Sequence, residues 1–154
     1  ENEEINVKEL INNVVSNLSI LLEVKDVQVV TKIDENSTFI ADYKWQLEAL
    51  TNIVKNAIEY SNQSSKIYIN VENNAVFLKI KIRDTGKGIE KKDIKHIFER
   101  FYKTKSNHEE SIGIGLSLAK TIIEQNNGYI KVDSEIGKGT TFEIKYLKWK
   151  IKMI

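Results

Sequence analysis

The chain has no cysteine and no proline, and only two histidines among its 154 residues. Without cysteine, disulfides and thiolate metal sites are excluded, and the redox compartment is left open. Without proline, no helix interior is interrupted by one. No apolar run approaches the roughly 20 residues of a membrane span. An excess of either charge is also missing: 23 basic residues balance 22 acidic ones for a formal net charge of +1. There is thus no global bias toward nucleic acid or a membrane surface. What remains, 41% hydrophobic and 29% charged residues, suits one globular domain with one core.

The opening "ENEEIN" reads as the stub of a linker, residues 1–5, ahead of a domain over 6–147 and a C-terminal tail over 148–154. Asn6 with Glu9 resembles a capping box. Val7, Leu10, Ile11, Val14, Leu18 and Leu21 then recur at helical spacing. "VQVVTKI" (27–33) and "TFIA" (38–41) are short strand candidates around the polar turn "DENS". Asp42 can cap a second helix, in which Leu47, Leu50, Val54, Ala57 and Ile58 make one stripe. "KIYINVE" and "AVFLKIKIRD" alternate around Asn73 and Asn74, whose tolerance of positive φ suggests a hairpin. Residues 90–112 are a long polar segment with one aromatic knot. Another helix is expected from Gly115 to Asn127, with Gly128 at C′, followed by the strand pair "YIKVDS" and "TTFEIKY". The order predicts an α+β sandwich: a mixed sheet with helices on one face.

Several residues stand out chemically, each with a plain structural alternative. Asn52 and Asn56 put two amides on one face of a core-like helix, where they either line a site or border water. Asp84 shares strand parity with Val76, Leu78, Ile80 and Ile82, so its carboxylate points toward the apolar side; it serves a ligand or simply opens the turn "DTGKG". Gly86 and Gly88 either make that turn or admit a ligand to the backbone. "GIGLSLAK" (113–120) precedes a helix and is a phosphate cradle or a hinge. It is neither a Rossmann fingerprint nor a Walker loop. Thr140 faces inward with Phe142, Ile144 and Tyr146. His96 and His108 lack metal-ligand spacing and read as solvated, as do Lys91, Lys92 and Lys95.

Taken in order, "NIVKNAIEYS" (52–61), "DTGKGI" (84–89), "IFERFY" (97–102), "GIGLSL" (113–118) and "GKGTTF" (137–142) resemble the N, G1, F and G2 boxes and closing strand of sensor histidine kinases. The chain is identified by that resemblance with their catalytic, ATP-binding domain, in the superfamily that also holds gyrase, Hsp90 and MutL. The family fold is a Bergerat-type α/β sandwich with a mixed, mostly antiparallel sheet, three main helices on one face and a mobile ATP lid, here about residues 90–112.

The resemblance implies that Asn56 binds Mg²⁺ on the phosphates, with Asn52 supporting the same site. Neutral amide oxygens suit a hard cation already held by phosphate. Asp84 would accept a hydrogen bond from the adenine amino group, with Gly86, Gly88 and Ile89 lining the base, Tyr60 flanking it and Thr140 beside Asp84. Gly113, Ile114, Gly115 and Leu116 would contact the phosphates through the backbone. Phe101 and Tyr102 would anchor the lid, and Lys103 and Lys105 would reach the β- or γ-phosphate. Asn52 stands where hydrolytic relatives carry a Glu base, which favours phosphoryl transfer over hydrolysis. The acceptor motif of the family, H-E/D-x-x-x-x-P, is absent: "HEES" at His108 lacks the proline. The implied partners are therefore an upstream dimerisation and phosphoacceptor domain and, indirectly, a response regulator, with no nucleic acid. The domain is expected to be monomeric and cytoplasmic, in a parent anchored in the bacterial cell membrane. Two departures appear. Ser117 replaces a common Gly, and Glu59 stands where a phosphate-reaching base is usual. Glu59 keeps a second reading open: a degenerate regulatory module that binds nucleotide without phosphotransfer.

Overall fold

The computed structural model describes residues 1–102 and 114–148. Five helices and seven strands occur among them. Strand β1 (Asn2–Asn6) pairs antiparallel with β3 (Thr38–Asp42) as a two-stranded ribbon. The main sheet has the order β2 (Gln28–Lys32), β4 (Lys66–Asn73), β5 (Phe77–Asp84), β7 (Gly139–Leu147), β6 (Gly128–Glu135). Only β2 and β4 run parallel, so the sheet is mixed and mostly antiparallel.

Helix α3 (Tyr43–Tyr60) lies between α1 (Val7–Asn17) and α5 (Gly115–Gln125) and packs on the sheet. Its stripe of Leu50, Ile53, Val54, Ala57 and Ile58 is buried in one core with Leu78, Ile80 and Ile82 of β5 and Phe142, Ile144 and Tyr146 of β7. The other face of the sheet is polar; there the Arg83 guanidinium stacks 4.4 Å from the Tyr68 ring centroid. The helix starts follow the expected caps. Asn6 Oδ1 accepts from Glu9 N at 2.9 Å, and Asp42 Oδ1 accepts from Trp45 N at 3.1 Å. Among the described residues no helix is long and apolar enough to cross a membrane.

Several local expectations are corrected. Residues 1–5 are not a loose stub: they carry most of β1, where Ile5 is buried opposite Phe39. The first helical pattern breaks at Leu18, and α2 (Ser19–Lys25) restarts with a rotated face that buries Leu22 and exposes Ile20 and Val24. Both strands expected around "DENS" form, in different sheets: β2 joins the main sheet and β3 the ribbon. The β4–β5 turn needs no positive φ at Asn73 or Asn74. Instead Asn74 Oδ1 accepts from Val76 N at 2.9 Å and Phe77 N at 3.0 Å, an Asx turn. Val76 lies before β5 and is exposed rather than inward. At the end of α5 the left-handed residue is Asn127, with φ +58°, and Gly128 opens β6. A Cβ on Gly128 would meet Ile123 Cγ2 and Tyr146 Cδ1 at 2.8 Å, so packing rather than capping requires glycine there.

The C-terminus of α3 is closed by a residue from outside it. Lys25 Nζ donates to the carbonyls of Ile58 at 3.1 Å, Glu59 at 2.9 Å and Ser61 at 2.6 Å. The Glu59 carbonyl is one that a helix end leaves without an internal partner, the Ile58 carbonyl also accepts from Ser61 N at 3.1 Å, and a cation there complements the helix dipole. Lys25→Met should therefore lower unfolding stability by about 2 kcal/mol, given the usual worth of hydrogen bonds to a charged donor. Denaturant melts of the two proteins check this; equal midpoints would show that the cap is dispensable.

Candidate functional site

Buried carboxylates are costly unless paired, and Asp84 is only half paired. It ends β5 at 1% exposure. Its Oδ1 accepts from Gly86 N at 2.9 Å and from Thr140 N at 3.3 Å. Its Oδ2 is buried with no hydrogen-bond partner. Desolvation is the largest influence and pushes its pKa above the ordinary carboxylate value, against the two amides and the charges of Arg83 and Lys25.

The backbone around Asp84 closes through glycines. A Cβ on Gly86 would lie 1.9 Å from Tyr60 O, at the end of α3. Gly88, at φ +78°, would meet Glu135 O at 2.3 Å. Gly139, at φ +120°, would meet Asp84 O at 2.2 Å. The 84–89 turn is thus wedged between α3 and the β6–β7 turn, where Gly137 N also donates to Lys87 O at 2.9 Å. Ile89 and Tyr60 are buried beside it, and the Lys87 ammonium lies 6.0 Å from the Tyr60 ring centroid. Thr140 is buried, as its parity predicts.

Sequence reasoning missed Ser134. Its Oγ is 2.8 Å from Ile89 N, 2.8 Å from Thr140 Oγ1 and 3.0 Å from Gly139 O. Its position on β6 directly opposite Thr140 in the ladder was the available signal.

Asn52, Asn56 and Tyr60 follow one another at helical turns along α3. Asn52 to Tyr60 spans about 12 Å of helix axis. Asn52 meets the start of α5: a Cβ on Gly115 would come within 3.3 Å of Asn52 Oδ1. Among the described residues no side chain caps that helix start, and Ile114 stands at its N-cap. The first amides of a helix start have no partners within the helix and suit an anion. Ser117 Oγ donates to Ile114 O at 2.9 Å, which shows how serine is accommodated in place of glycine. Leu116 packs against the core. Along α3, Tyr60 thus lies beside the turn that carries Asp84, and Asn52 lies beside the start of α5.

Glu59 does not leave an isolated acid beside the site. Lys25 bonds its carbonyl, and the Glu59 carboxylate favours the Lys25 charge. Burial is the largest influence on Lys25 and, with Lys87, lowers its pKa. The cation nearest the Glu59 backbone among these contacts thus comes from α2.

The first part of the expected lid is anchored. Residues 91–94 form helix α4 (Lys91–Ile94), Ile97 is buried, and Phe98 packs edge-on against Phe142 at 6.4 Å. Phe98, not Phe101, is the packed aromatic: Phe101 is 63% exposed, at φ +64°. Tyr102 OH donates to Asp93 Oδ1 at 2.5 Å and its ring tilts against His96. His96 is thus half buried, with Nδ1 2.7 Å from Glu99 Oε1, rather than simply solvated. Lys103, Lys105, His108 and Gly113 lie outside the described residues.

A mixed, mostly antiparallel sheet with helices packed on it defines an α+β sandwich. The sequence pattern of the family described as histidine kinase-, DNA gyrase B-, and HSP90-like ATPase matches residues 41–151, and the chain belongs to that family. It is 33% identical over 146 residues to the heme sensor protein HssS of Staphylococcus saprophyticus, covering 95% of this chain and 31% of that protein. It is 35% identical over 127 residues to the sensor histidine kinase YclK of Bacillus subtilis, covering 80% of this chain and 27% of that protein. The chain thus spans a third or less of these relatives. Among solved structures, the catalytic domain of histidine kinase ThkA superimposes with a TM-score of 0.83 at 26% identity, covering 96% of this chain and 98% of that one. The mycobacterial sensor histidine kinase MprB shares the fold, with a TM-score of 0.83 at 20% identity over 96% of this chain and 97% of that one. This is a histidine-kinase-type ATPase domain.

The half-paired carboxylate makes a stability prediction. Between the ordinary value of 3.8 and the raised folded value, the native state holds a proton that the unfolded chain has released. Stability then falls as pH rises through that window and stays reduced above it. Asp84→Asn removes the buried charge, so at pH 7 and without ligand the variant should melt no lower than the wild type. Its relative advantage should shrink as pH drops toward 3.8. Thermal melts across pH check this; a strongly destabilised variant at neutral pH would contradict it.

Proposed function

We propose that this domain binds Mg-ATP and transfers the γ-phosphoryl group to a histidine on a separate dimerisation and phosphoacceptor domain of the same sensor kinase. The supporting observation is Asp84 Oδ2, a buried acceptor with no hydrogen-bond partner among the described residues. It suits an amino group of a bound base, and the glycines around it let the neighbouring backbones close against the turn that carries it. Asp84 would take the adenine amine, with Gly86, Gly88, Ile89, Tyr60 and Thr140 around the ring. Ile114, Gly115 and Leu116 would offer α5 amides to the phosphates, with Gly113, Lys103 and Lys105 assigned there by resemblance, as are Phe101 and Tyr102 to the lid.

Asn56 and Asn52 would supply amide oxygens to Mg²⁺. Among the described residues no cluster of three or more His, Cys, Asp or Glu could hold a metal. A cation completed by phosphate and water fits that donor set. When bound it neutralises charge on the phosphate oxygens during transfer. Asn52 has no useful basicity, so the chain's contribution is orientation rather than activation of water. Lys25 beside Glu59 favours transfer over a merely regulatory binding role, because it offsets the acid near the phosphates. Placement on the cytoplasmic side of a membrane-anchored parent, with a response regulator downstream, belongs to the same proposal.

Two outcomes are expected. Calorimetry should give tighter binding of Mg-ATP than of Mg-GTP, whose base has an oxo group in place of the amine. Loss of a hydrogen bond to a charged acceptor is worth roughly 1.5–3 kcal/mol, about 10- to 150-fold. Equal affinities would remove Asp84 from the base site. In phosphotransfer with labelled ATP, this domain alone should stay unlabelled, and adding the parent's helical domain should label a histidine there. Asn56→Ala should abolish that labelling. Acid-labile phosphate on His108 of this domain alone, at a comparable rate, would show that the acceptor is wrong.

A further inference from the structure

Proton bookkeeping at Ser134 resolves which way the Thr140 hydroxyl points. A hydroxyl has one proton and two lone pairs. The Gly139 carbonyl, 3.0 Å from Ser134 Oγ, can only accept, so it takes the serine proton. The Ile89 amide, at 2.8 Å, can only donate, so it occupies one lone pair. The contact with Thr140 Oγ1, at 2.8 Å, is then satisfied only if Thr140 donates. The single proton of Thr140 is therefore committed inside the protein. Toward the rest of its surroundings Thr140 offers lone pairs alone. Its own amide donates to Asp84 Oδ1 at 3.3 Å, next to the unpartnered Oδ2.

We propose that Ser134 is a positioning residue that sets base specificity: it locks the Thr140 hydroxyl as an acceptor, so that the wall made by Asp84 and Thr140 presents acceptors only. Such a wall selects a purine bearing an exocyclic amino group and rejects a 6-oxo purine. Freed from Ser134, the threonine hydroxyl can turn and donate, directly or through a water, to an oxo oxygen, and the selection weakens. This inference rests on the nucleotide-binding reading above and assigns its specificity to a residue outside the ligand contacts.

The test is calorimetry of Mg-ATP and Mg-inosine triphosphate on wild type, Ser134→Ala, Thr140→Val and the double variant. The ratio of the two affinities should fall in Ser134→Ala by roughly fivefold or more, the worth of one hydrogen bond. In the Thr140→Val background Ser134→Ala should change the ratio no further, because the rotor it controls is gone. Ser134→Cys keeps the volume with a poor acceptor and gives the same readout should Ser134→Ala not fold. A ratio unchanged in Ser134→Ala or Ser134→Cys, with both affinities lowered together, would overturn the proposal and leave Ser134 a structural residue. So would an equal further drop in the Thr140→Val background. Wild type that binds neither nucleotide would instead overturn the nucleotide reading itself.

Discussion

A carboxylate held out of water with only one of its oxygens satisfied is a constraint that the surrounding backbone must answer. At Asp84 the answer is two amides on Oδ1, from Gly86 and Thr140, and nothing on Oδ2. To bring both amides in, the 84–89 turn must fold back against the start of β7. That is possible only because Gly139 has no side chain against Asp84 O, and Gly86 has none against Tyr60 O at the end of α3. The free energy left in the unsatisfied oxygen is then available to a ligand, since an unmet buried acceptor costs about 1–3 kcal/mol. Binding capacity and reduced stability are one feature seen from two sides.

The same economy runs along α3. Its buried stripe holds the core, while Asn52, Asn56 and Tyr60 follow one another at successive turns. Its C-terminus does not end in a glycine cap. Lys25 from α2 and the Ser61 hydroxyl, which donates to Ala57 O at 2.7 Å, satisfy the last carbonyls instead. That leaves Tyr60 O facing Gly86, so the helix end itself is a wall of the site. The acid at Glu59 is tolerable in this setting because the capping ammonium lies beside it.

Ser134 shows how a residue without a motif can govern one that has it. It touches the turn through Ile89, the β7 start through Gly139 and the Thr140 hydroxyl. Each contact alone is ordinary strand-end chemistry. Together they use up the serine's whole hydrogen-bonding capacity, and the remaining hydroxyl has one orientation left.

Local physics was legible from the residues. Asn6 and Asp42 cap because short polar side chains at helix starts bind the next free amides. Asp84 and Thr140 turn inward because strand parity obliges them to, and the stripe on α3 is buried because its spacing is helical. The order of the glycine clusters identified the family, since each cluster answers a steric need that other residues cannot meet. Long-range partners were not legible. That β1 belongs to the fold depends on β3, 34 residues onward from Ile5 to Phe39. That Gly128 is a packing glycine depends on Tyr146. That Phe98 rather than Phe101 anchors its segment depends on Phe142, and the roles of Lys25 and Ser134 depend on atoms from other elements. Spacing and capping act between neighbours in the chain, so the sequence alone determined the elements, their buried faces and the family. Steric closure and hydrogen-bond saturation act between elements brought together by folding, so only the tertiary structure decided which oxygen stays unpaired and which hydroxyl is locked.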